Sequence, residues 1–133
     1  MRDLNSLKTW YESLRLKNLD EIKNFYTDDC FFKDPFHQLH SRKALVELYT
    51  NMFKKYPDAK FVITNQINDQ QESVLIWDFY FSGNNKIHGT SVLKFNAEGK
   101  ISSHIDYWDT TEEIWLKVPI IGQMIKIFYK LVF

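Results

Sequence analysis

The order of apolar and polar positions divides the chain into a helical first part and a β-rich second part. Leu4, Leu7, Trp10, Tyr11 and Leu14 recur at three- and four-residue steps, so residues 3–17 are predicted as an amphipathic helix. Asn18 suits an N-cap, with Glu21 three positions on as in a capping box. A second helix is expected there, burying Ile22, Phe25 and Tyr26. Residues 30–33 (CFFK) are short and β-like. They end at Asp34-Pro35, where the proline biases Asp34 toward extended or turn backbone. Ser41 suits the cap of a third helix running to about Lys55, with Ala44, Leu45, Leu48, Tyr49, Met52 and Phe53 along one face.

After Pro57 the period changes to two, with Phe61, Ile63 and Asn65 alternating against Val62 and Thr64. Residues 73–81 (SVLIWDFYF) are apolar on both faces except at Asp78, as in a central strand covered on both sides. Gly83-Asn84-Asn85 reads as a hairpin turn, and strands at 86–95 and 100–109 are joined by Asn96-Ala97-Glu98-Gly99. Three helices followed by an antiparallel meander predict an α+β domain. Residues 110–117 read as a short helix capped by Thr110 or Thr111. Pro119 and Gly122 interrupt, and residues 123–133 are expected to form a further helix.

Length and composition narrow the function classes. The 133 residues suit one domain over 1–133, with no repeat or linker. Aromatic residues are 17% of the chain, which fits either a packed core or an apolar cavity. Seventeen basic and 17 acidic residues cancel, so no global field favours nucleic acid, and no nucleic-acid partner is expected. Cys30 is the only cysteine, so an internal disulfide is ruled out, and the chain starts without an apolar leader. Both features lead us to expect a cytoplasmic protein. His37, His40 and His88 lack metal-ligand spacing and the four glycines form no phosphate loop, so neither a metal nor a cofactor is expected.

Two motifs carry a resemblance. DDCFFKDPFHQLHSRKALVELY (residues 28–49) resembles the ketosteroid isomerase pattern of paired acids, a short strand and D-P-F before a turn and helix. FNAEGKISSHIDYW (95–108) resembles that family's last hairpin. With the element order, the resemblance spans roughly 4–109 and points to the nuclear-transport-factor-2-like superfamily, with its ketosteroid isomerases and SnoaL-like cyclases. It implies a cone fold, in which three helices pack on a strongly curved, mainly antiparallel sheet around an apolar pocket. Residues 110–133 would form a helical tail.

The resemblance also implies site residues. Asp34 matches the general base of the isomerases, because a carboxylate in an apolar cavity gains proton affinity; an Asp starting a turn before proline is the plainer alternative. The isomerase oxyanion donors are a tyrosine and a protonated aspartic acid. Their positions fall on Trp10, with Tyr11 adjacent, and on Ser91. Losing such a donor costs about 2.7–4 kcal/mol, so full steroid Δ-isomerase power is not expected. In the last strand His104, Asp106 and Trp108 share one face, which the resemblance turns toward the pocket, as in SnoaL-like cyclases with a late-strand acid. The alternative is a His–Asp pair on a solvent face. Trp77 and Phe79 line the pocket or pack in the core.

The aspartate–arginine–aspartate set of limonene-epoxide-hydrolase relatives is not expected, because Arg2, Arg15 and Arg42 all lie outside the late strands. The function expected is acid/base chemistry on a hydrophobic carbonyl compound. Asp34 would be the base, His104 and Asp106 a second acid/base, and Tyr11 a hydroxyl donor, with Trp10, Trp77, Phe79, Ser91 and Trp108 at the substrate. The rival is a non-catalytic module binding a small apolar molecule or a protein partner in the same pocket. A homodimer through the convex sheet faces is expected from relatives. The tail is expected to pack over the pocket mouth or sheet edge, with a dimer contact or membrane-surface docking as alternatives.

Overall fold

In four places a strand of the sheet slips its register, and those slips give the domain its shape. The computed structural model describes residues 3–133. Its strands are β1 (Tyr26–Lys33), β2 (Gln38–Leu39), β3 (Lys60–Asn68), β4 (Glu72–Ser82), β5 (Asn85–Phe95) and β6 (Ile101–Tyr107). They form one sheet in the order β2-β1-β6-β5-β4-β3. All pairs are antiparallel except β1 with β6. Register shifts occur between Tyr26 and Phe31, Ile63 and Asn65, Tyr80 and Ser82, and Lys94 and Phe95. Each bends its strand and strengthens the twist, so the sheet curls into an open cone.

Helices α1 (Leu4–Ser13) and α2 (Arg42–Lys55), with a 3-10 segment over Leu16–Asn24, close the concave side. Asp3 caps α1 by accepting from the Ser6 N–H at 3.0 Å. Ser41 caps α2 by accepting from the Ala44 N–H at 3.1 Å, as its position predicts. Helix α2 buries Leu45, Tyr49 and Phe53, one residue per turn of a single face. These meet Leu7, Leu14, Ile22, Phe32 and Leu93 in one core.

The first two predicted helices need correction. Helix α1 stops at Ser13, and Asn18 is not an N-cap. Its side-chain oxygen accepts from the Arg15 N–H at 2.7 Å and its amide donates to the Ser13 carbonyl at 3.1 Å. Those bonds hold a break in the chain and start the 3-10 segment, while Glu21 stays exposed. Tyr26 does not end a helix; it begins β1, which is longer than the predicted 30–33.

Trp77 and Gly89 face each other across β4 and β5. A Cβ at Gly89 would lie 2.6 Å from Trp77 Cζ2, so only glycine lets the indole lie on the strand. The chain reverses at Gly83 (φ 58) and Gly99 (φ 82), the turn sites expected from the sequence.

After β6 come α3 (Thr110–Glu113), a 3-10 turn (Trp115–Lys117) and α4 (Pro119–Val132). Asp109, rather than Thr110 or Thr111, caps α3 by accepting from the Thr111 N–H at 2.8 Å. Pro119 starts α4 instead of interrupting it, because the first helical position needs no N–H donor. Gly122 sits inside α4, where a Cβ would come 2.9 Å from the Leu116 carbonyl carbon. Helix α4 packs on the 3-10 turn beside it, not over the pocket mouth or sheet edge as expected. No described helix is long and apolar enough to cross a membrane.

Candidate active site

The inward face of β6 delivers the polar centre of the site. Alternation turns His104 and Asp106 to the concave side, opposite Leu93 and Ser91 of β5, with Phe32 of β1 flanking His104. Trp77 and Leu75 come from β4, while Tyr11 of α1 and Tyr49 of α2 close the space from the helix layer.

These side chains form one hydrogen-bonded chain. Trp77 Nε1 donates to Ser91 Oγ at 2.8 Å, and Ser91 Oγ is bonded to Asp106 Oδ1. His104 Nε2 lies 2.6 Å from the same Asp106 oxygen and 3.2 Å from Ser91 Oγ. On the other side of the imidazole, Nδ1 meets the Tyr26 hydroxyl at 2.7 Å, and Tyr26 is bonded in turn to the Tyr11 hydroxyl.

The chemistry of the groups gives these bonds a direction. An indole N–H only donates and a carboxylate only accepts, so Ser91 passes its proton toward Asp106. A neutral His104 protonated on Nε2 donates to Asp106 and leaves Nδ1 to accept from Tyr26. Tyr26 then accepts from Tyr11. This assignment satisfies every group in the chain and fixes the imidazole tautomer. Burial pushes the phenols of Tyr11, Tyr26 and Tyr49 well above the ordinary tyrosine value, and the Asp106 carboxylate adds to the shift in each. All three therefore keep their protons, as the direction of the chain requires.

Asp106 sits between two spaces. Inside is a cavity of ≈ 20 Å³ lined by Tyr11, Tyr49, Phe61, Trp77, Ser91, His104 and Asp106, among others. That is room for about one water molecule. Outside is an open cleft of ≈ 500 Å³ bounded by Asp34, Pro35, Asp106 and Trp108. The His104 side chain is 3% exposed and that of Asp106 is 15% exposed, so the carboxylate is the member of the pair that solvent can reach. Both bonds to Asp106 use Oδ1; Oδ2 has no hydrogen-bond partner among the described residues.

The residues expected at the site divide into three groups. Tyr11, Trp77, Ser91, His104 and Asp106 come together at the inner cavity. Asp34 and Trp108 reach only the outer cleft, which they share with Asp106. Asp34 is held by its own turn: Oδ1 accepts from the Phe36 and His37 N–H groups at 2.8 and 2.7 Å and lies 2.9 Å from His37 Nδ1. That is the plainer alternative for an Asp before proline.

Trp10 and Phe79 line neither space. Trp10 donates to the Asn18 carbonyl at 3.1 Å and packs on Phe25. Phe79 stacks between Phe61 and Phe81 along the rim of the sheet. Of the arginines, Arg15 bonds the Leu14 and Ala59 carbonyls and Arg42 the Tyr26 carbonyl, while Arg2 lies outside the described residues.

Sequence reasoning missed Tyr26 and Tyr49 as site groups, reading both as apolar helix positions. The signal was their identity. A fully buried tyrosine in place of phenylalanine needs a partner for its hydroxyl. Tyr26 is 0% exposed.

The family model of the SnoaL-like domain matches residues 7–104. The chain belongs to the SnoaL-like family. Solved structures agree on the fold. A SnoaL-like protein from Agrobacterium tumefaciens str. C58, for which isomerase activity is suggested, superposes with a TM-score of 0.65 at 19% identity, covering 78% of this chain and 91% of that one. An NTF2-like protein of unknown function from Burkholderia pseudomallei K96243 gives 0.70 at 14% identity, covering 84% and 93%. A limonene-epoxide-hydrolase-like epoxide hydrolase of Mycobacterium tuberculosis gives 0.66 at 14%, covering 82% and 84%. No curated protein matches the sequence. The match to the SnoaL-like domain ends at His104, so Asp106 and the helical tail of this SnoaL-like chain lie beyond it.

Proposed function

We propose that this SnoaL-like domain carries out acid/base chemistry on a hydrophobic carbonyl compound, with Asp106 as the working base and Asp34 outside the reaction. The observation that carries this reading is the one-sided engagement of Asp106. Its Oδ1 is held by Ser91 and His104, Oδ2 has no hydrogen-bond partner among the described residues, and the residue lines both cavity and cleft. A base needs a fixed position and one free lone pair within reach of the proton it takes. His104 and Ser91 supply the position. The substrate's carbonyl oxygen would enter the inner cavity, where one water-sized volume is available beside the Tyr11 phenol. Its apolar remainder would lie in the outer cleft against Trp108.

The reaction class is proton transfer next to a carbonyl, as in an isomerisation or an aldol closure. Tyr11 stays neutral, since burial holds its phenol high, and on substrate entry its single O–H would turn from Tyr26 to the carbonyl oxygen while Tyr26 keeps donating to His104. The enolate formed next to it would gain stabilisation without a charged partner.

The test is hydrogen–deuterium exchange at the α-carbon of 2-tetralone, an apolar ketone, followed by proton NMR in D₂O. The wild-type protein should speed exchange, and Asp106→Asn should lose at least about 100-fold of that acceleration. Exchange unchanged by Asp106→Asn would overturn the assignment.

A second reading rests on the size of the inner cavity. A space of ≈ 20 Å³ walled by Trp77, Phe61 and Tyr49 suits a scaffold that binds an apolar molecule at its outer cleft without reacting. In that case 2-tetralone would perturb the amide signals of Trp108 and Asp34, but no exchange above background would follow.

A further inference from the structure

Helix α4 carries an apolar surface that nothing among the described residues covers. Ile120, Met124, Phe128 and Leu131 are 76%, 65%, 60% and 82% exposed, and Phe133 beyond the helix is 92% exposed. At 100° per residue these four helix positions share one side, and Lys126 and Lys130 fall on the opposite side. From Ile114 to Phe133 the chain has three lysines and no acidic residue. Lys117 is tied to Glu113 at 3.3 Å. Lys126 and Lys130 have no acidic partner among the described residues. The segment lies wholly outside the residues matched by the family model, so the cone does not need it.

We infer that α4 docks the domain on an anionic lipid surface. A helix of 14 residues is about 21 Å long, too short for a hydrocarbon core of roughly 30 Å, so it would lie in the interface rather than across it. Its apolar side would sink among the acyl chains, and the two lysines would reach lipid phosphates from the other side. Trp115, 39% exposed just before α4, suits the headgroup level.

Charge favours lipid over a second copy of the chain. Pairing two α4 helices through their apolar sides would leave Lys126 and Lys130 outside the contact, still without a carboxylate partner. An anionic bilayer supplies the missing negative charge. Gly122 approaches the backbone of Leu116 closely, so the 3-10 turn that carries Trp115 is packed tightly against α4. This proposal is independent of the reaction assigned to Asp106.

The test is co-sedimentation of the full chain with sucrose-loaded vesicles of phosphatidylcholine mixed with phosphatidylglycerol, against vesicles of phosphatidylcholine alone. Binding should be more than about tenfold stronger on the mixed vesicles and should weaken with added salt. The double variant Lys126→Glu/Lys130→Glu should lose that preference. Phe128→Ser/Leu131→Ser should lose binding to both kinds of vesicle. Both pairs are exposed, and an unchanged melting temperature of each variant verifies that the domain stays folded. Absence of vesicle binding, or equal binding to both vesicle types, overturns the inference. So does a mass by light scattering that falls by half in Phe128→Ser/Leu131→Ser while vesicles are ignored, which would assign the face to a second copy.

Discussion

The Tyr26 hydroxyl reaches Nδ1 of His104 at 2.7 Å across 78 positions of sequence, with the two rings stacked 6.0 Å apart. Tyr26 opens β1 and His104 lies at the middle of β6, the one parallel pair among the described strands. Removing the hydroxyl leaves a buried imidazole nitrogen without a donor. Tyr26→Phe is expected to cost about 1–3 kcal/mol, the usual penalty for an orphaned buried polar atom. Urea unfolding measures this, and the ¹⁵N shift of His104 Nδ1 should move away from that of a hydrogen-bonded acceptor. A melt unchanged from wild type would mean that the bond contributes nothing.

The two aspartates at the outer cleft should respond differently to the same substitution. Asp34→Asn keeps an oxygen that can accept from the Phe36 and His37 N–H groups, so stability should change by less than about 0.5 kcal/mol. Exchange of 2-tetralone should stay within a factor of about three of wild type, because the proposed base is untouched. If Asp34→Asn abolishes exchange and Asp106→Asn does not, the roles are reversed and the base is the D-P-F aspartate.

Trp77 depends on Gly89. A methyl group at Gly89 would press into the indole ring, so Gly89→Ala should destabilise the fold by roughly 1–3 kcal/mol. The smaller ring of Trp77→Phe leaves space for that methyl. In the Trp77→Phe background the same change should therefore cost at least about 0.5 kcal/mol less. Denaturation of the four proteins of this cycle gives the coupling, and simple additivity would contradict the packing described.

The buried phenols make stability depend on alkaline pH. Tyr11, Tyr26 and Tyr49 have folded values raised above that of an unfolded tyrosine, with burial the main cause. Their contribution is complete below the unfolded value of about 10 and is lost as pH rises through the folded values. Above pH 10 the unfolded chain releases protons that the folded one retains. The slope should therefore approach three protons per molecule, at most about 4 kcal/mol per pH unit. Urea midpoints measured between about pH 9 and 11.5 should be level first and then fall steeply. Tyr26→Phe should make the fall shallower by about one proton, and a flat profile would mean that these phenols ionise freely in the native state.

Patterning alone specified the α+β class, the Ser41-capped helix, the turns at Gly83 and Gly99, and the shared face of His104 and Asp106, which only the resemblance turned inward. Those features follow from local rules, because a cap lies three residues from its donor and strand side chains alternate. The motifs around Asp34 and Trp108 pointed to the cone, and the family match bears out that recognition. The sequence could not show which candidates share a cavity, since that depends on how far the sheet curls and on where each helix stops. Curling came from register shifts that no residue type announces, and the early end of α1 came from Asn18 bonding backward to Arg15. Tyr26 reached His104 only because a residue read as helical opens a strand parallel to β6. Asp34 stayed in its own turn because three donors lay within three residues of it, a local satisfaction that the pull of a distant pocket did not override. Whether α4 had anything to pack against was likewise a question of tertiary contact: the sequence supplied an amphipathic helix, and only the fold showed its apolar side left bare.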